Sequence, residues 1–220
     1  MNLRLFKTSD GSHTIFHSNF NETYHSIYGA IQESNHIFIK NGLDYYLKKN
    51  NKINILEVGF GTGLNLLLSI KHVLHKKISV NYQALEPFPL DKEIICKINY
   101  PNILGKEFDI VFEKIHNLKY SRSLQLAKNF IFKRHLKRIQ NYDSNFKFDI
   151  VYFDAFSPSK QPDIWSVENF IKLHNMMKTN SIIVTYCVSN IFKNALKKAG
   201  FKYDILEGPP GKKEMIRATK

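Results

Sequence analysis

Apolar residues along this chain switch between two spacings, and the switches mark its elements. Short alternating runs at 3–6 and 14–16 flank a polar turn carrying Asp10-Gly11, the pattern of a hairpin. From 26 to 49 the apolar residues Ile27, Ile31, Ile37, Phe38 and Leu43 follow helical spacing. Residues 1–50 therefore read as a hairpin and helical cap placed before a core at 51–220.

From Asn51 the rhythm becomes strand, glycine turn, helix, strand, helix, which predicts a parallel α/β sheet. Strands are expected at 53–58, 79–85, 129–135, 148–153 and 181–187. A closing hairpin at 203–206 and 214–218 is joined by Gly208-Pro209-Pro210-Gly211-Lys212-Lys213. Helices are expected at 64–75, at 90–99, across Phe112, Ile115 and Leu118, at 166–178 and at 191–199. Pro101 reads as the end of the 90–99 helix, and Gly200 as the end of the last.

The chemistry sits where strands end. After the first core strand comes Glu57-Val58-Gly59-Phe60-Gly61-Thr62-Gly63, a turn in which the backbone can bend sharply and a ligand can approach without a β-carbon in the way. Helix-terminal N–H groups are expected to face that ligand. The spacing is acidic-x-Gly-x-Gly-x-Gly; position 64 is Leu, so the dinucleotide fingerprint is not met. Glu57 places negative charge where a cationic ligand group would lie, and Glu86, ending the second strand, can accept two ribose hydroxyls. Asp154 ends a buried strand and opens Asp154-Ala155-Phe156-Ser157-Pro158 at the carboxyl edge of the sheet, where open α/β folds bind ligands. A tight turn alone would also explain the glycines, and a helix cap Asp154.

Other chemistries find little support. Ser157 lies in no Gly-x-Ser-x-Gly elbow, His72 and His75 lack a third metal ligand, and Cys96 and Cys187 form no C-x-x-C pair. No metal is expected. A net charge of +13 makes nucleic acid the first partner to consider, although a Lys-, Asn- and Ile-rich vocabulary also follows from biased base composition. The basic run Lys133-Arg134-His135-Leu136-Lys137-Arg138, with Phe130, Phe132 and Tyr142 nearby, is a candidate for tracking a phosphate backbone or a solvated edge. No stretch is long and apolar enough for a membrane span, and a cytoplasmic location is expected.

The acidic-led glycine turn resembles the first motif of class I methyltransferases, which use S-adenosyl-L-methionine. Lined up with Asn21-Glu22-Thr23-Tyr24-His25-Ser26, Glu86-Pro87-Phe88-Pro89-Leu90, Asp154 to Pro158, Pro162-Asp163-Ile164-Trp165, Tyr186-Cys187 and the Gly208 to Met215 tail, the chain resembles the methyltransferase domain of the bacterial MnmC family of tRNA 5-methylaminomethyl-2-thiouridine biosynthesis. The resemblance implies a Rossmann-like fold with a mostly parallel seven-stranded sheet, helices on both faces and a small N-terminal extension. It implies methylation of the amine of 5-aminomethyl-2-thiouridine at the tRNA wobble position, with Asp154 as the catalytic residue. Glu57, Gly59, Gly61, Gly63, Glu86, Tyr24 and His25 would bind the cofactor, and Phe156, Ser157, Pro158, Lys212 and Lys213 the substrate. Bifunctional relatives carry a flavin-dependent oxidase domain after this one; the chain stops at Lys220, so it is expected to act without a covalently linked oxidase.

Two positions depart from the relatives. Lys137 and Arg138 stand where they carry an acid suited to the adenine edge, and Val188-Ser189-Asn190 replaces a Lys-Gly and Arg region. Two other functions remain open on the sequence: methyl transfer to a different amine, and RNA binding without catalysis.

Overall fold

The structure is a computed structural model that describes residues 3–48, 50–119 and 122–220. Strands β1 (Leu3–Lys7) and β2 (His13–His17) form the expected hairpin, and a short β3 (Glu22–Thr23) adds to it. The helix that follows starts at α1 (Ala30–Ser34), not at 26. Gly29 has φ +152°, a conformation no helix contains, and the Asp10 carboxylate packs beside it while accepting the Gln32 amide at 2.9 Å. Residues 26–29 are thereby left as a loop. The rod continues through a π-helical stretch, Asn35–Asp44, into α2 (Tyr45–Leu47); the predicted end at Lys49 lies outside the described residues.

The core elements are β4 (Lys52–Val58), α3 (Leu64–Val73), β5 (Ser79–Leu85), α4 (Lys92–Ile95), α5 (Tyr100–Leu104), α6 (Glu107–Asn117), β6 (Ser123–Ala127) and β7 (Phe130–His135). They continue with β8 (Phe148–Phe153), α7 (Val167–Met176), β9 (Met177–Thr185), α8 (Asn190–Lys198), β10 (Lys202–Glu207) and β11 (Glu214–Thr219). The large sheet has the order β10-β11-β9-β8-β4-β5-β7-β6. Its middle pairs are parallel, while β6, β10 and β11 join antiparallel.

The sheet thus has eight strands, not seven. The extra one, β6, doubles back on β7 through Lys128-Asn129, placing Leu126 and Ala127 against the core edge. Pro101 also differs from expectation: it sits in the first turn of α5, where a missing N–H costs nothing, and it begins a helix instead of ending one. The 90–99 helix shrinks to α4 accordingly. Strand β9 starts at Met177, four residues early, because Met177 pairs with Phe148 and Lys178 binds Asp149 of β8 at 2.8 Å.

Alternation along the strands sends successive residues to two cores. Ile53 and Ile55 of β4 and Ile150 and Tyr152 of β8 pack with the N-terminal rod, α3 and α6; Leu56, Val58, Val151 and Phe153 pack with α7 and α8. Helices cover both faces, which leaves the carboxyl ends of the parallel strands as the open edge.

Candidate active site

Strand β4 has β5 on one side and β8 on the other, and the chain winds outward in opposite directions from this point. A crevice is forced open at such a switch in strand order. Here it is a cavity of about 900 Å³. Its walls include Tyr24, His25, Gly59, Gly61, Glu86, Asp154, Phe156 and Lys212, which the sequence singles out, together with Tyr186, given no role there, and Phe20 and Glu33, which it does not single out.

The glycine turn forms the floor. Gly59 has φ +93°, and a β-carbon there would collide with the Asp154 carbonyl, so the ends of β4 and β8 could not close together. At Gly61, φ +49°, a β-carbon would come 3.0 Å from the Tyr24 ring. The amides of this turn do not face outward as expected. Those of Gly59 and Phe60 are taken by the Leu85 carbonyl, that of Gly63 by the Phe60 carbonyl, and that of Gly61 by Glu86 Oε2 at 2.9 Å. The floor therefore offers shape more than donors, which suits a ligand without a pyrophosphate.

Glu86 is held from both sides, since its other oxygen accepts the Phe88 amide at 2.9 Å. Burial raises its pKa, opposed by these two bonds and by the nearby Arg134 charge. Each carboxylate oxygen keeps one further lone pair, so the group can still accept two hydroxyls. The fit to a ribose is good.

Glu57 lies fully buried beneath the turn, off the cavity wall. Asn65, in the first turn of α3, donates one amide nitrogen to Glu57 Oε1 at 2.9 Å and to Asp154 Oδ2 at 2.8 Å. This one side chain ties the acid under the floor to the acid in the wall. Burial raises the Glu57 pKa well above the ordinary value, and the Asn65 bond opposes that shift. Asp154 is pushed up to about 7 by burial and by the neighbouring Glu33, with the Asn65 bond and Lys212 pulling the other way. It is poised between charged and neutral.

Glu33 accepts the Ser26 amide at 2.7 Å with one oxygen and the Lys212 ammonium at 2.6 Å with the other. The aromatic wall is built from Phe156, with ring centres 4.8 Å from Phe20 and 5.0 Å from Tyr24. Burial holds His25 down to about pKa 4, so it is neutral, and its backbone amide is fixed on Thr14 Oγ1.

Several sequence candidates point elsewhere. Gly63 lies behind the floor against Phe60 and Ile115. Ser157 donates to Glu22 at 3.0 Å, Pro158 is buried, and Lys213 is exposed; none of the three lines the cavity. The basic run after β7 also divides: Arg134 is buried over Phe60, while Lys137 and Arg138 reach the cavity rim, where Arg138 lies 5.1 Å from the centre of the exposed Phe88 ring. His72 pairs with Asp44 at 2.6 Å on the opposite part of the molecule. Among the described residues no helix is long and apolar enough to cross a membrane, and no group of three His, Cys, Asp or Glu side chains is arranged to hold a metal.

Sequence signals for the missed residues exist. Ala30, Glu33, Ser34 and Ile37 form an i, i+3, i+4, i+7 stripe that is buried, so Glu33 is an acid at a core position of a helix. Such an acid needs a partner. Asn65 stands two residues past the last glycine of the turn, within one helical turn of the ligand edge.

An open, largely parallel sheet with a cavity at the strand-order switch, an acidic-led glycine floor and a carboxylate at the end of the second strand defines a Rossmann-like protein that binds an adenosyl cofactor. A family of S-adenosyl-L-methionine-dependent methyltransferases matches residues 100–220, and the chain belongs to it. S-adenosyl-L-methionine is accordingly its cofactor. The chain is 32% identical over 212 residues to the tRNA 5-methylaminomethyl-2-thiouridine biosynthesis bifunctional protein MnmC of Campylobacter hominis, covering 93% of this chain and 31% of that protein. It is 27% identical over 212 residues to the protein of the same name from Burkholderia multivorans, covering 90% and 32%. The chain thus spans about a third of the length of these relatives. The crystal structure of MnmC2 from Aquifex aeolicus superposes with a TM-score of 0.83 at 28% identity, over 99% of this chain and 70% of that one.

Proposed function

We propose that this protein methylates the primary amine of 5-aminomethyl-2-thiouridine at the wobble position of tRNA, giving 5-methylaminomethyl-2-thiouridine. The observation that carries the reading is the position of Asp154: its carboxyl group opens into the same cavity as Glu86 and the floor glycines, so an acceptor atom and the adenosyl cofactor can meet there. The names of the relatives supply the tRNA nucleoside, and the +13 charge suits a polyanionic substrate.

In this reading Glu86 binds the ribose hydroxyls, Gly59 and Gly61 leave room for the cofactor, and Tyr24 and His25 close over it from the N-terminal segment. Glu57 acts from below through Asn65, and Gly63 lets α3 start close against Phe60. Bound S-adenosyl-L-methionine supplies an electrophilic methyl on a sulfonium, which departs as the neutral thioether of S-adenosylhomocysteine. Asp154 accepts a hydrogen bond from the amine, aims its lone pair at the methyl carbon, and takes the proton that nitrogen sheds once the new N–C bond forms. Its pKa near 7 suits both halves of that task. Phe156 and Phe20 give the base a face to stack on and keep water from the reacting atoms. Lys137, Arg138 and Lys160, all at the cavity rim, would meet phosphates. Ser157 and Pro158 shape the loop that carries Phe156; Lys213 is a phosphate contact outside the cavity. The expected cytoplasmic location follows from the substrate.

The test is transfer of labelled methyl to tRNA bearing 5-aminomethyl-2-thiouridine. Wild-type protein should transfer it, Asp154→Ala should lose about 100-fold or more in kcat, and added salt should raise KM steeply. Absence of transfer to this tRNA, with transfer to a small amine instead, would refute the assignment.

A further inference from the structure

Glu33 and Lys212 come from opposite ends of the chain and meet inside the cavity, with Nζ 2.6 Å from Oε1. The contact is held from several sides. Glu33 is buried, and its second oxygen accepts the Ser26 amide. The ammonium also lies 4.0 Å from the centre of the Tyr186 ring. Tyr186 is fixed in turn by a 2.8 Å bond from its hydroxyl to the carbonyl of Ala155, the residue after Asp154. A lysine on a loop is ordinarily free to sweep through solvent, but this one is pinned in the corner of the cavity that holds the acceptor acid.

We infer that Lys212, fixed by Glu33 and Tyr186, is a positioning residue that favours the ionised form of Asp154 and disfavours a protonated amine in the cavity. The inference rests on the reading of Asp154 as the group that receives the amine's proton. An amine can attack a methyl carbon only as the neutral base, because the ammonium form has no lone pair. A cavity walled by Asp154 and Glu33 alone would select the wrong form, drawing in the ammonium and holding it by charge. A fixed cation in the same wall opposes that preference. It also favours the carboxylate of Asp154, the form able to take a proton, against the burial that favours the acid.

The titratable groups facing Asp154 are Glu57 at the end of β4, Glu33 on α1, Lys212 on the loop before β11, Tyr186 after β9, and the buried phenols of Tyr82 and Tyr100. Among these, Lys212 is the cation. Glu33 pulls Asp154 the other way, and in pairing with Lys212 it both places the ammonium and moderates its field. The two residues therefore make opposite predictions, which separates an electrostatic role from a merely structural one.

The experiment is a carbon-13 carboxyl NMR titration of Asp154 in cofactor-free protein, assigned with Asp154→Asn, for wild type, Lys212→Met, Lys212→Arg and Glu33→Gln. Lys212→Met should move the Asp154 midpoint upward by roughly half a pH unit or more, Lys212→Arg should hold it near wild type, and Glu33→Gln should move it downward. The acidic limb of kcat/KM for methyl transfer to the amine-bearing tRNA should shift in the same order. An Asp154 midpoint that stays in place in Lys212→Met, or one that rises in Glu33→Gln, overturns the inference; the second arm decides if the Met variant fails to fold. A normal titration series alongside undiminished transfer by Asp154→Ala would instead overturn the role given to Asp154.

Discussion

Replacing Asn65 by Leu keeps the helix and the approximate size of the side chain but removes one nitrogen that serves two acids. The bond to Glu57, whose carboxyl burial pushes toward the neutral form, is worth about 1 kcal/mol, whereas the bond to Asp154, when ionised, is worth about 1.5–3 kcal/mol. Above pH 8 the loss should therefore approach about 2.5–4 kcal/mol, and it is capped there because Asp154 can take up a proton rather than remain an unpaired charge. Near pH 5 Asp154 is already protonated and the loss should fall to about 2 kcal/mol. For a chain of this size each kcal/mol moves Tm by about 2–4 °C, so the variant should melt roughly 5–16 °C below wild type at the higher pH and roughly 4–8 °C below it at the lower, the decrement at the higher pH being the larger of the two. Thermal unfolding followed by circular dichroism at both pH values measures this. Equal decrements at the two values would refute the idea that Asn65 stabilises the charged form of Asp154; no decrement at all would refute the bridge.

Glu86→Ala should weaken S-adenosyl-L-methionine binding by calorimetry about tenfold or more, since it removes a charged acceptor and leaves the Gly61 and Phe88 amides without their partner; unchanged affinity would place the ribose elsewhere. His116, close to Thr62 and Arg134, has its pKa held down to about 3, chiefly by burial. Its folded pKa lies below its unfolded one, so its contribution is intact above about pH 6.5 and is lost as pH falls toward 3, reaching roughly 2 kcal/mol near pH 5. His116→Gln should accordingly flatten the fall of Tm between about pH 7 and pH 5 relative to wild type; parallel curves would show that His116 takes up its proton at the same pH in the folded and unfolded states.

The parallel core was legible because its strands are short apolar runs, with β4, β5 and β8 followed by glycine or an acid, and β4, β5, β7 and β8 fall where the pattern puts them. Glycine floor, Glu86 and Asp154 follow from that, since each sits at a strand end. What stayed hidden depends on distant partners. Lys212 meets Glu33 across 179 positions and Asn65 meets Asp154 across 89, and no local spacing encodes either contact. Strand β6 was hidden for a different reason: its five residues carry only two leucines, too few to distinguish a strand from the tail of the preceding helix. The start of the N-terminal rod was set by Asp10, twenty-two positions before the amide it caps, and not by the apolar spacing that runs on through Ile27.

The strand order carries a consequence for how the protein comes into being. Strand β11, the last to be synthesised among these, inserts between β9 and β10, so β10 has no partner in the sheet until residues 214–219 arrive. The loop joining β10 to β11 delivers Lys212, and His36 of the N-terminal rod binds the Glu207 carbonyl at 2.8 Å. The first and last parts of the chain thus meet, and the Glu33–Lys212 contact at the cavity wall spans 179 positions. Contacts of that kind form late. A folding chain should hold a formed glycine floor and central sheet before the Glu33–Lys212 side of its cavity is closed, and loss of the final strand should cost that wall and the β10 edge together while leaving β4, β5 and β8 paired.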